Sequence, residues 1–145
     1  MKIEIDEIKQ LLPHRDPFLF LDWCEIIEIG KEGKGYRKFL PDEYFFKGHF
    51  PGQPIVPGVV LIESLAQTAG VVVSKSFTDK TERSVLFTSI SNAKFRKPVL
   101  PLDEILFEVK IINNVKSIYK FYGEAKRGSE KVCDAIFSAM IILNK

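Results

Sequence analysis

Apolar residues recur at two different periods along this chain of 145 residues, and the change of period divides it into elements. Ile3, Ile5, Ile8, Leu11 and Leu12 fall at roughly helical spacing, with Asp6 and Glu7 early and Pro13 ending the pattern, so a short amphipathic helix is predicted first. Residues 18–29 are rich in aromatic and β-branched side chains and predict a long strand; residues 30–35 predict a turn, 36–40 a returning strand and 42–46 one helical turn. Residues 58–74 are nearly all apolar or small, with no proline to interrupt them, and predict a helix buried on most sides. After a polar connection at 78–83 the period becomes two. Ile105, Phe107, Val109 and Ile111 share one face, as do Tyr119, Phe121, Gly123 and Ala125, and then Cys133, Ala135, Phe137, Ala139, Ile141 and Leu143. Asn113-Asn114 and Gly128-Ser129 read as hairpin turns. One very apolar helix among about six antiparallel strands predicts an α+β architecture, a curved sheet wrapped around a helix, in a single domain spanning 1–145.

Composition narrows the class without deciding it. With 46% hydrophobic residues the chain has one real core and is too short for a second domain. A net charge of +2 is too weak to imply nucleic acid, and no basic run or RNA-binding motif is present, but it is compatible with a local basic patch for an acidic partner. Cys24 and Cys133 fall in strand-like segments and form no CxxC pair, so they are expected as buried free thiols, as in a reducing cytoplasm. Charges at the N-terminus stand where a signal peptide needs an apolar core, so export is not expected. Residues 55–73 approach the length of a membrane span, but Pro57, Glu63 and Gln67 within it argue against insertion.

The chemistry is concentrated in residues 46–63. Pro51, Pro54 and Pro57 with Gly48, Gly52 and Gly58 exclude regular structure before the helix and imply a stiff, specifically bent loop. Between Lys47 and Lys75 the single formally charged side chain is Glu63, in a chain that is 28% charged. A lone carboxylate in apolar surroundings is costly unless it is used. His49 before the proline turns and Glu63 on the second helical turn are a base and an acid flanking one helix N-terminus. Between them the N–H of Gly58, with no side chain in the way, can meet a carbonyl oxygen on which negative charge develops. These are the parts needed for proton abstraction beside a carbonyl. Singly, each feature has an ordinary structural reading, a packed histidine, a paired glutamate or a turn.

Taken together, the spacing of His49, Gly58 and Glu63 inside HFPGxPxxPG resembles one family, the FabZ class of 3-hydroxyacyl-(acyl-carrier-protein) dehydratases. The likeness extends to Leu12-Pro13-His14-Arg15, Pro17-Phe18-Leu19, Glu63-Ser64-Leu65-Ala66-Gln67 and residues 93–99, and so covers nearly the whole chain. The sister class that also isomerises the new double bond carries Asp where this chain has Glu63. The resemblance implies the hotdog fold and, in fatty acid synthesis or a related acyl-chain pathway, dehydration of a (3R)-3-hydroxyacyl thioester to a trans-2-enoyl thioester. His49 would take the C2 proton, its ring aimed by the Ile55 carbonyl; Glu63 would protonate the departing hydroxyl; and Gly58 would hold the thioester oxygen.

Gln67, one turn beyond Glu63, is expected to hydrogen-bond that carboxyl or a water, and reads equally well as a satisfied buried amide. The resemblance places Leu86 and Phe87 beside the substrate, gives the phosphopantetheine-bearing acyl carrier protein a basic cluster at Lys94, Arg96 and Lys97, and implies homodimers grouping into hexamers in the cytoplasm. No step needs a cofactor, and no metal-ligand spacing appears. His14 has no evident partner and is read, with Arg15, as structural. Leu86 where many members carry a tyrosine, Leu102 in place of a glycine and Asp16 in place of an aromatic are departures that bear on chain-length preference. A hotdog acyl thioesterase, which would not need His49 at this spacing, and a non-catalytic acyl-carrier-binding subunit are the alternatives.

Overall fold

A computed structural model describes residues 1–79 and 81–143. Its elements are β1 (Lys2–Glu4), α1 (Ile5–Leu11), β2 (Trp23–Glu28), β3 (Glu32–Lys38), a 3₁₀ turn (Tyr44–Lys47), α2 (Gly58–Lys75), β4 (Arg83–Phe95), β5 (Glu104–Val115), β6 (Ile118–Arg127) and β7 (Glu130–Leu143). The seven strands form one antiparallel sheet in the order β1-β2-β3-β5-β6-β7-β4, and α2 packs against every strand from β2 to β7. This is the predicted sheet around a helix, the hotdog arrangement. The helix is long and apolar enough to cross a membrane by composition, yet 78% of it is buried inside the protein.

The inward faces of the last three strands are those the alternation predicted. Phe107, Phe121 and Phe137 are fully buried, and the last two stack with centroids 5.1 Å apart. Leu65 and Ala69 of α2 complete the core beneath them. Leu143 is the exception on its face, exposed at the end of β7.

Elsewhere the structure departs from the predicted boundaries. Residues 2–4 pair with β2, Ile3 opposite Cys24, before the helix begins at Ile5. Residues 18–21 are not a strand although Leu19, Phe20 and Leu21 are buried. Two of their backbone groups are satisfied by the side chain of Gln67, which accepts from the Phe20 N–H at 2.9 Å and donates to the Phe18 carbonyl at 3.0 Å. A helix amide thus replaces a neighbouring strand. The predicted turn at 30–35 is confined to its first residues, and Gly33 and Gly35 lie within β3. They are there for close approach: a Cβ on Gly33 would sit 2.7 Å from Val72, and one on Gly35 2.4 Å from Thr68, both on α2. Asn113-Asn114 belongs to β5, with a register shift between Ile111 and Asn113, and the hairpin turns instead at Lys116-Ser117. Gly128-Ser129 is a turn as predicted, with Gly128 at φ +61°.

Candidate active site

The proline-rich loop is held by its own backbone. Phe50 and Gln53 exchange two N–H···O=C bonds of 2.9 Å, the Ile55 N–H donates to the His49 carbonyl at 2.8 Å, and the Val56 N–H reaches across to Val99 at 2.8 Å. Within that frame His49 Nδ1 lies 2.9 Å from the Ile55 carbonyl oxygen, and its ring stacks on Phe50 with centroids 4.2 Å apart. A carbonyl can only accept, so the ring proton belongs on Nδ1 and the lone pair on Nε2. The partner expected for His49 is therefore in place, and its outer nitrogen is in the form a base requires.

Pro57 occupies the cap position of α2 with φ −58°, and Gly58 is the first helical residue. Its N–H is among those that have no carbonyl partner inside a helix. The missing side chain is needed for packing as well, because a Cβ on Gly58 would lie 2.6 Å from the Phe95 ring. His49, Ile55, Gly58, Lys97 and Pro98 line one cavity of about 430 Å³.

Glu63 faces a different cavity, of about 590 Å³, whose walls include Phe18, Phe45, Val60 and Phe87. Val59 and Phe95 line both cavities and stand between them. Within one chain His49 and Glu63 therefore line separate, adjoining cavities. The Glu63 side chain is 18% exposed; its Oε2 accepts from Gln67 Nε2 at 2.9 Å. Because Gln67 Oε1 is committed to the Phe20 N–H, the amide orientation is fixed and the NH₂ faces the carboxyl. Both readings of Gln67 hold: it is a fully satisfied buried amide and the partner of Glu63.

His14, read from the sequence as structural and without a metal-ligand partner, stands beside Glu63. Its Nε2 lies 3.4 Å from Glu63 Oε2, the oxygen that Gln67 already contacts. Arg15 is structural as expected, donating to the carbonyls of Lys9, Leu12 and His14 and so closing the end of α1.

Of the remaining predicted positions, Phe87 packs edge-to-face on Phe137 and lines the Glu63 cavity, whereas Leu86, pointing the other way from β4, lines neither cavity and is exposed. Lys94, Arg96 and Lys97 are all exposed. Arg96 is already committed to the buried Asp134, with Nη2 at 2.8 Å and Nε at 3.1 Å from its carboxylate. Asp16 is exposed and away from both cavities. Among the described residues no group of three or more His, Cys, Asp or Glu could hold a metal ion.

The FabA-like domain model matches residues 12–136, which include both cavities. A FabZ 3-hydroxyacyl-[acyl-carrier-protein] dehydratase of Caulobacter vibrioides is 44% identical over 141 residues, 97% of this chain and 89% of its own length. The chain belongs to this dehydratase family. A second FabZ dehydratase, from Campylobacter lari, is 39% identical over 97% of this chain and 98% of its own length. Among solved structures, the dehydratase heterocomplex ApeI:P of Xenorhabdus doucetiae aligns with a TM-score of 0.74 over 95% of this chain and 91% of that one, at 14% identity, and shares the dehydratase's fold.

Proposed function

We propose that this dehydratase removes water from (3R)-3-hydroxyacyl thioesters carried on acyl carrier protein, in fatty acid biosynthesis, giving the trans-2-enoyl thioester. The observation that carries the assignment of roles is the bond from His49 Nδ1 to the Ile55 carbonyl, which leaves Nε2 as the base. Nε2 takes the C2 proton; the electron pair left on C2 forms the C2=C3 bond; the C3–O bond breaks, and the hydroxyl leaves as water with the proton of Glu63. The Gly58 N–H meets the thioester oxygen while charge resides on it, and removal of such a donor costs roughly 3 kcal/mol. The proton taken up by His49 and the one lost by Glu63 balance, so solvent exchange restores both groups.

The separation of His49 and Glu63 into two cavities of one chain favours a site completed across a dimer, His49 from one subunit and Glu63 from the other. Grouping of such dimers into hexamers, and cytoplasmic residence in keeping with the unpaired Cys24 and Cys133, belong to the same proposal. For the carrier protein, Lys97 beside the His49 cavity and Lys94 are the favoured contacts, with Arg96 contributing less because Asp134 holds it.

Incubation with a 3-hydroxyacyl carrier protein is expected to yield enoyl product. Free acid would instead indicate a thioesterase, and no product a binding subunit. His49→Ala and Glu63→Gln are each expected to lower kcat about 10²- to 10⁴-fold with the fold intact, and wild-type turnover in either would remove that residue from the mechanism.

A further inference from the structure

His14 is the histidine that the proposed reaction leaves unused. It follows α1 directly, and its backbone is pinned because Arg15 donates to the His14 carbonyl at 2.7 Å and to Leu12 at 2.8 Å. Its side chain is 14% exposed, Nε2 stands 3.4 Å from Glu63 Oε2, and Nδ1 is buried with no hydrogen-bond partner among the described residues. A neutral imidazole has one proton to place. On Nδ1 it would be an orphaned buried donor, and the Nε2 lone pair would confront a carboxyl oxygen. On Nε2 it points at Glu63 and leaves only a lone pair unpaired, the smaller penalty.

Resting on the reading of Glu63 as the acid, we infer that His14 is a positioning residue which, with Gln67, selects the carboxyl oxygen that carries the catalytic proton. Both nitrogens face Oε2: Gln67 Nε2 donates to it at 2.9 Å in fixed orientation, and His14 Nε2 approaches it to 3.4 Å without closing a hydrogen bond in this structure. An oxygen that accepts from one N–H and has a second drawn up beside it is the poorer place for an O–H, which leaves Oε1 to carry the proton. The contact of 3.4 Å is of the kind that shortens when substrate fills a site. Because His14 and Glu63 come from the same chain, this arrangement is independent of how subunits pair.

Steady-state kinetics of His14→Leu and His14→Gln on a 3-hydroxyacyl carrier protein test the inference. Leucine removes the donor and is expected to lower kcat at least tenfold with KM within about twofold; glutamine, which offers an N–H at similar reach, should restore most of the rate. The decisive measurement is His14→Leu in the Glu63→Gln background. A residue acting through Glu63 has nothing left to position there, so the double variant should match the residual rate of Glu63→Gln. The inference is overturned by wild-type kcat in His14→Leu, by equal losses in the leucine and glutamine variants, or by a further loss in the double variant equal to that in the wild-type background. If Glu63→Gln itself keeps full activity, the assignment of the acid fails first and this inference falls with it. Should His14→Leu not fold, the glutamine variant alone decides, since unchanged KM with kcat above one tenth of wild type is required of it.

Discussion

Single residues whose chemistry does not suit their backbone are where this chain can be improved or broken. Leu102 follows Pro101 in a tight turn, with φ +74° and the Asp103 N–H returning to the Leu100 carbonyl at 3.1 Å. Proline followed by a positive φ is the pattern of a type II turn, whose third position favours glycine. That is why the glycine replaced at this position has a physical meaning beyond resemblance. A leucine there bears roughly 1–2 kcal/mol of left-handed strain, and a glycine would return part of it as unfolded-state entropy. Leu102→Gly should therefore raise stability by about 0.5–1 kcal/mol, read as a higher denaturant midpoint at unchanged slope. The cysteines behave in the opposite sense, as side chains well matched to their sites. Cys24 and Cys133 are buried, and burial pushes the Cys133 thiol up to about 12 and Cys24 higher still. At pH 8 the thiolate population is negligible, so folded protein should resist a disulfide reagent that modifies both residues once denaturant is added.

Elements were legible in the sequence where a single period ran unbroken, and obscure where something other than a strand or helix neighbour satisfied the backbone. α2 and the inward faces of β5 to β7 follow directly from their apolar spacing. β4 does not, because register shifts between Phe87 and Ser89 and between Ser91 and Lys94 break its alternation, and Asn92 takes φ +52° within it. Residues 18–21 look like strand from their burial, but no local pattern announces that an amide forty-seven positions later supplies their hydrogen bond. The same holds for the candidate site: the bent loop carrying His49 and the start of α2 carrying Gly58 and Glu63 follow from the Pro/Gly spacing, whereas the His14 contact depends on where α1 ends against α2. The glycines of β3 show how a turn signal can stand for packing. A methyl on Gly35 would meet Thr68 Oγ1 at 2.4 Å and Leu21 at 2.7 Å, and Thr68 is itself tied to the Ser64 carbonyl, so neither neighbour can yield freely. Gly35→Ala should cost about 1–3 kcal/mol. Gly48→Ala, where an added Cβ meets nothing within 4 Å, should stay within about 0.5 kcal/mol in the same denaturation experiment.

At the scale of the whole molecule, the sheet ends on an edge that a lone chain leaves open. β4 is the outermost strand, and it carries exposed Leu86, Phe87, Ile90 and Phe95, with Val59 of α2 73% exposed nearby. An apolar edge of that length invites another strand unless something covers it. A second copy related by a two-fold axis would cover it with the same surface, the commonest closed arrangement of identical chains. Phe95 and Val59 line both the His49 and the Glu63 cavities, so whatever packs there also brings the two kinds of cavity to a common boundary. Each dimer would then contain two equivalent sites, each with His49 from one subunit and Glu63 from the other. A mixed dimer of His49→Ala and Glu63→Gln subunits would have one site with both residues intact and one with neither. When the two inactive variants are unfolded and refolded together, random pairing makes half of the dimers mixed, so about a quarter of wild-type activity should return. Native mass measured on the same sample shows whether subunits exchanged. Activity that remains at background in exchanged dimers would place both residues in the site of one chain, and the barrier formed by Val59 and Phe95 would then have to open within that chain.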